Sequence, residues 1–273
     1  MLDLIELIKV IVLGIVEGIT EWLPISSTGH MLLVDAFMQL DATEAFKDMF
    51  FYVIQLGAIL AVIVIFWKKM FPIHKEEGKL TIHIPTILTW CKVVVCCIPG
   101  TVVALLFDDW IDANLHTPLV IAVALVVYGI AFLVIDRKER TVRVHTLEDI
   151  RFSDAFLIGL FQMLSIIPGT SRSGATIVGA LLIGVSRVAS AEFTFFLAVP
   201  VMIGMSGLEI LKFGFDFTAP EICTMLVGMT VAFLVSIVVV RFLMNYIRTH
   251  DFKVFGWYRI VLGVVVVLWS LLK

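Results

Sequence analysis

The chain has 273 residues, 60% hydrophobic and 16% charged, with 20 basic and 23 acidic side chains for a formal charge of -3. An ordinary soluble domain carries about 25% charged residues, so the composition excludes that class, and the negative balance argues against nucleic acid as a partner. Most of the length falls into spans of about 20 apolar positions, which leaves room for one helical membrane domain and no separate soluble one.

The chain begins Met1-Leu-Asp3-Leu-Ile-Glu6, acidic where a secretory signal would be basic, so no cleaved peptide is expected. Residues 4–40 are apolar but are broken by Glu17-Gly-Ile-Thr-Glu21-Trp-Leu-Pro24-Ile-Ser26-Ser27-Thr28-Gly29-His30. The piece 28–40 has the length of a re-entrant half-helix, a kinked transmembrane helix being the plain alternative. Three uninterrupted spans follow, at 50–67, 86–107 and 117–135, of which the second holds Cys91, Cys96 and Cys97. A second broken region, 152–184, is interrupted by Pro168-Gly-Thr-Ser171-Arg172-Ser173-Gly174-Ala-Thr176, and spans at 189–211, 221–245 and 254–271 complete the chain. These three cysteines and Cys223 lie in apolar runs without His or acidic companions, and are read as packing residues rather than metal ligands. The predicted fold class is therefore all-α: a polytopic bundle of six transmembrane helices plus two re-entrant helix pairs.

Lys and Arg bias toward the cytoplasm orients such a bundle. Lys68, Lys69, Lys75 and Lys79 follow the first span, Arg137, Lys138, Arg140 and Arg143 the third, and Arg241, Arg248 and Lys253 end or follow the fifth. Asp108-Asp109-Trp110-Ile111-Asp112, after the second, reads as an acidic turn on the other side. Three spans per half then predict an inverted-topology repeat, with halves at approximately 1–145 and 146–273 and both termini outside. Gly14, Glu17, Pro24, Ser26, Ser27 and Gly29 align with Gly159, Gln162, Pro168, Thr170, Ser171 and Gly174 if one gap and one insertion are allowed, and Phe51 aligns with Phe195.

The two breaks hold the candidate chemistry. Glu17 and Glu21 share a helix face, and an ionised carboxylate inside a membrane costs about 2.5–3.5 kcal/mol, so the pair calls for a cation, a metal, a buried Arg or a proton, unless an interfacial helix keeps both acids in water. Ser26, Ser27 and Thr28 can cap a half-helix beginning near Thr28, whose free N–H groups suit an anion. Ser171, Arg172 and Ser173 repeat the pattern, and the guanidinium of Arg172 fits phosphate oxygens. The predicted ligand is a phosphate or diphosphate. His30 can act as general base for a serine, as a nucleophile, or as a neutral hydrogen-bonding residue. Gln55 and Gln162 read as core hydrogen-bonding residues, Glu209 and Lys212 as an interfacial pair, and Glu192 as a residue at a helix entrance.

At these positions the chain resembles the bacterial undecaprenyl pyrophosphate phosphatases of the bacitracin-resistance family over essentially its whole length. The stretches 17–30 and 168–176 carry the likeness, with support from Val53-Ile-Gln55-Leu-Gly57 and Ala189-Ser-Ala-Glu192-Phe193. The resemblance implies an integral enzyme of the bacterial cytoplasmic membrane, its site facing outside. Such an enzyme removes the terminal phosphate of undecaprenyl diphosphate to recycle the carrier for peptidoglycan synthesis. It implies catalytic roles for Glu17, Glu21, Ser27, His30 and Arg172, and metal-assisted activity in which Glu17 and Glu21 hold Mg²⁺ or Ca²⁺ or orient His30. Ser27 is expected as nucleophile with His30 activating it, while a phosphorylated His30 or direct attack by water stays open. Ser26, Thr28, Ser171, Ser173 and Thr176 are expected to donate to the substrate alongside Arg172.

The prenyl tail is expected to stay among membrane lipids, entering through a lateral opening lined by Phe, Leu, Val and Met. A homodimer is among the assemblies open to such a chain. The competing class is a transporter or lipid flippase, because broken helices in inverted repeats also serve transport.

Overall fold

The computed structural model describes residues 3–76, 79–135 and 141–272. Its helices in chain order are α1 (Leu4–Thr20), α2 (Ser27–Phe37), α3 (Glu44–Met70), α4 (Ile84–Leu115) and α5 (Pro118–Ile135), then α6 (Phe152–Met163), α7 (Arg172–Leu182), α8 (Arg187–Phe213), α9 (Ala219–Tyr246) and α10 (Lys253–Leu272). A single 3₁₀ turn, Leu164–Ile166, follows α6. Among the described residues six helices are long and apolar enough to cross a membrane, and they are α3, α4, α5, α8, α9 and α10. The chain is an all-α polytopic bundle.

Helix ends lie beyond the apolar runs because the starts are set by caps rather than by hydropathy. Thr43 accepts from Phe46 N at the start of α3, Ser186 from Ala189 N at the start of α8, and Thr218 with Glu221 closes a capping box on α9. The acidic stretch at 108–112, read from sequence as a turn, instead continues α4, which ends at Leu115. A short antiparallel hairpin, β1 (Ile73–Glu76) with β2 (Lys79–Ile82), sits in the Lys-rich segment after α3, pairing Ile73 with Ile82. Arg137, Lys138 and Arg140 lie outside the described residues.

Both broken regions double back. Lys9 Nζ at the start of α1 donates to Gln39 O just past α2 at 2.7 Å, and Asp41 N donates to Glu6 at 3.0 Å. Arg143, ahead of α6, donates to Ile183 O at the end of α7 at 2.7 Å and grips Asp154 in the first turn of α6. The two hairpins open at opposite ends, because α3 and α8 run antiparallel. Lys69, late in α3, bonds Glu192, early in α8, whereas the rings of Phe46 and Phe213 meet 6.0 Å apart at the other end.

Equivalent helices make equivalent contacts across this inversion. α1 packs on α9 and α6 on α4, while α3 packs on α8 and α5 on α10. Two glycines permit the first two approaches. A Cβ on Gly14 would stand 2.9 Å from Gly228 O, and one on Gly159 would stand 2.4 Å from Cys96 O. The core runs between these pairs, with Trp22, Phe132, Phe193, Phe195, Phe196 and Phe252 buried in one cluster. Cys91, Cys96, Cys97 and Cys223 are all free, with Cys96 in that core.

Candidate active site

Both half-helices begin from a strained serine. Ser26 has φ 74° and Ser171 has φ 69°, and among the described residues they are the non-glycine positions with positive φ. Such a conformation costs a side-chain-bearing residue about 1–3 kcal/mol, so the surroundings impose it. In each case the serine Oγ accepts from the glycine N–H three residues on, Ser26 from Gly29 at 3.4 Å and Ser171 from Gly174 at 3.1 Å. Ser26 therefore matches Ser171, not Thr170, and the sequence alignment of the halves was out of register by one residue here. The first half-helix starts at Ser27, one residue before the expected Thr28.

The corrected register makes Ser27 and Arg172 equivalent first residues of α2 and α7, and one carboxylate joins them. Ser27 Oγ donates to Glu21 Oε2 at 2.8 Å, and Arg172 Nη2 donates to Glu21 Oε1 at 2.7 Å. The ion pair is nearly buried, with side-chain exposures of 11% for Arg172 and 9% for Glu21. Breaking such a pair strands a charge and typically costs about 3–5 kcal/mol. Among the described residues Glu17, one turn earlier and 1% exposed, keeps Oε1 without a partner, as does Arg172 with Nη1. Two orphaned polar atoms, one on Glu17 and one on Arg172, beside the bonded Ser27 and Glu21 form a site with binding capacity left over.

His30 lies close by but is turned away from Ser27. Its Nδ1 is 2.7 Å from Ser26 O and its Nε2 is 2.6 Å from Tyr258 OH. A carbonyl only accepts, so Nδ1 carries a proton and donates; in the neutral ring Nε2 then accepts from Tyr258. The expected His30–Ser27 contact is replaced by Glu21–Ser27, because Ser26 O captures the imidazole within the first turn.

The secondary donors divide. Thr28 is exposed and, among the described residues, without a partner. Ser171 Oγ is 3.1 Å from Ser173 Oγ while also capping α7. Ser173 is buried and donates to Glu21 O at 3.3 Å, tying the second break to the first. Thr176, fully buried, bonds Arg172 O at 2.9 Å and Thr194 at 2.8 Å, which places it in the α7–α8 contact. Gln162, at the position equivalent to Glu17, is buried with Oε1 unpartnered among the described residues, while Gln55 donates to Phe51 O at 3.3 Å and Lys212 to Glu209 at 2.8 Å.

Sequence reasoning missed Tyr258 and Arg259 in α10. Arg259 is completely buried, and its guanidinium donates to Pro24 O at 3.2 Å, Gly169 O at 2.8 Å and Thr170 O at 2.9 Å. One side chain thus satisfies carbonyls freed by both breaks, beside Tyr128, whose ring centre is 5.6 Å away. A charged residue in the last apolar span was the available signal.

No group of three or more His, Cys, Asp or Glu side chains with metal-holding proximity occurs among the described residues. Mg²⁺ needs less than that, since it is often held by one or two carboxylates with substrate phosphates and water. The free Oε1 of Glu17 fits that sparse donor set; Glu21 is already committed to Ser27 and Arg172.

A family model described as "Bacitracin resistance protein BacA" matches residues 10–265. A protein of Enterococcus faecalis named "Undecaprenyl-diphosphatase" is 64% identical over 270 residues, 98% of each chain. Another of that name from Desulfitobacterium hafniense is 56% identical over 269 residues, 97% of this chain and 96% of its own. A third, from Lachnoclostridium phytofermentans, is 57% identical over 97% of both.

Proposed function

The chain belongs to the bacitracin resistance protein BacA family, and from that premise we propose how its site hydrolyses undecaprenyl diphosphate. The protein is a multi-pass membrane undecaprenyl-diphosphatase, which converts its lipid substrate to undecaprenyl phosphate and inorganic phosphate and so recycles the carrier. The observation that carries the mechanism is the single carboxylate of Glu21 bonded to Ser27 on one oxygen and Arg172 on the other.

Phosphoryl transfer asks mainly for positioning and for cations around the transferring group. Arg172 offers its unpartnered Nη1 to the terminal phosphate, and the free N–H groups opening α2 and α7 add donors. Glu21 accepts the Ser27 proton as Oγ bonds to the terminal phosphorus and the bridging P–O bond breaks, releasing undecaprenyl phosphate. Water then attacks the phosphoserine, inorganic phosphate leaves, and Ser27 regains a proton. His30, with both ring nitrogens engaged by Ser26 O and Tyr258, braces the start of α2 beside Ser27. Glu17, with substrate oxygens, would hold Mg²⁺ or Ca²⁺, which supplies further positive charge to the phosphoryl oxygens.

We read the chain as one membrane domain of two halves, about 1–145 and 146–273, in the bacterial cytoplasmic membrane. The Lys- and Arg-rich ends face the cytoplasm, and the termini and the mouth of the site face outside. The prenyl tail lies beside the loosely packed α2, since exposing it to water would cost about 0.8 kcal/mol per CH₂.

The test is rapid quench with labelled terminal phosphate, followed by peptide mapping. Label on the Ser27 peptide, retained in His30→Gln and absent in Glu21→Gln, is the expected result. Label on His30, or near-normal turnover by Ser27→Ala, overturns the mechanism.

A further inference from the structure

Away from the catalytic residues, a cavity of about 450 Å³ lies between the ends of α3 and α9 and the start of α8. Lys68 and Lys69 line it from α3, Arg241 and Arg248 from α9 and the turn after it, and Glu192 from α8. The one carboxylate is already used, with Glu192 Oε1 2.6 Å from Lys69 Nζ. Among the described residues Lys68, Arg241 and Arg248 have no acidic partner. Membrane topology accounts for cations in these loops. It does not require cations from two helices distant in sequence to face one cavity.

Backbone and apolar surface both shape the place. α3 leaves helical geometry at Phe66, φ -101° and ψ 15°, two residues before Lys68. Phe66 is itself part of the wall and packs on Phe195 at 5.5 Å. Ile65 and Met244 add apolar lining beneath the charges. On the flanking helices Val64 and Trp67 of α3, and Val238 and Phe242 of α9, are more than half exposed, as suits side chains facing hydrocarbon. Basic pockets between transmembrane helices on the cytoplasmic side suit anionic headgroups, and here the apolar flanks offer acyl chains a track that a free anion would not need.

We infer that this cavity binds the phosphate of an anionic membrane lipid headgroup. The site is separate from the hydrolytic one, and its cations serve as a socket that seats the bundle among acidic lipids.

The test is native mass spectrometry of the full-length protein in detergent, titrated with phosphatidylglycerol or phosphatidylcholine, with inorganic phosphate as a third arm. Phosphatidylglycerol is expected to bind more than tenfold tighter than phosphatidylcholine. Arg241→Gln/Arg248→Gln is expected to lose about thirtyfold of that affinity, and Lys68→Gln about fivefold, the effects of removing two cations and one beside a charged headgroup. Hydrolysis of undecaprenyl diphosphate in phosphatidylcholine micelles stays unchanged in these variants, which shows them folded. Equal affinity for the two lipids, or unweakened phosphatidylglycerol binding by both variants, overturns the inference. Displacement of phosphatidylglycerol by equimolar inorganic phosphate assigns the cavity to the free ion and overturns the lipid.

Discussion

The half-helices α2 and α7 are each 11 residues long and each start from a capping serine with φ near 70°, yet they finish in opposite surroundings. In α7 every residue from Ser173 to Leu181 is buried. In α2, among its described side chains, only Gly29 and Met31 are buried, and Phe37 is 77% exposed. The entry geometry is shared by both half-helices, while close packing is found in one. α7 is a buried wall that presents Arg172, and α2 is a half-exposed strip bearing Ser27 and His30. On the proposed mechanism, a buried wall bearing Arg172 opposite a half-exposed strip suits a substrate whose head must be held still and whose tail must come and go.

The largest effect should come from the joint between the two. Arg172→Ala should lower phosphate release from undecaprenyl diphosphate by about 10³–10⁵, the range for a cation on a transferring phosphoryl group; a loss under tenfold would make α7 a structural wall only. Chelation comes next. EDTA should slow turnover by about a hundredfold, with Mg²⁺ or Ca²⁺ restoring it, and Glu17→Gln should remove most of that response while leaving thermal unfolding in detergent little changed.

Packing differences should be smaller. Ala180→Leu, inserted where α7 is 1% exposed, should cost about 1–3 kcal/mol by overpacking and lower the melting temperature. Ala36→Leu on half-buried α2 should stay within about 0.5 kcal/mol. Equal shifts would erase the contrast. The smallest effect concerns the shared feature. Ser26→Gly and Ser171→Gly lose a cap but relieve the positive φ, so stability should change by under about 1 kcal/mol, whereas the alanine variants lose the cap, about 1 kcal/mol, and keep the strain.

Six spans were legible in the sequence because each is an apolar run of sufficient length, and the breaks because Pro and clustered hydroxyls interrupt such runs. The pairing of Ser26 with Thr170 failed by one residue, since residue type alone cannot distinguish adjacent hydroxyls and the backbone angle that singles out Ser171 leaves no trace in composition. His30 was placed near Ser27 correctly along the chain. Its hydrogen bonds were not readable, because Tyr258 arrives from a helix 228 residues away. Arg259 left one signal, a charge in an apolar span, but its acceptors are carbonyls of Pro24, Gly169 and Thr170, and backbone groups carry no sequence signature.

The bond between Arg172 and Glu21 spans 151 positions of chain. At about 5–20 residues per second of synthesis, the first break waits roughly 8–30 s for its cation. Through that interval a ribosome-bound first half has Ser27, Glu17 and Glu21 but lacks Arg172. On the proposed mechanism, hydrolysis therefore waits for the arrival of the second half, and a truncated chain left in the membrane is expected to lack turnover.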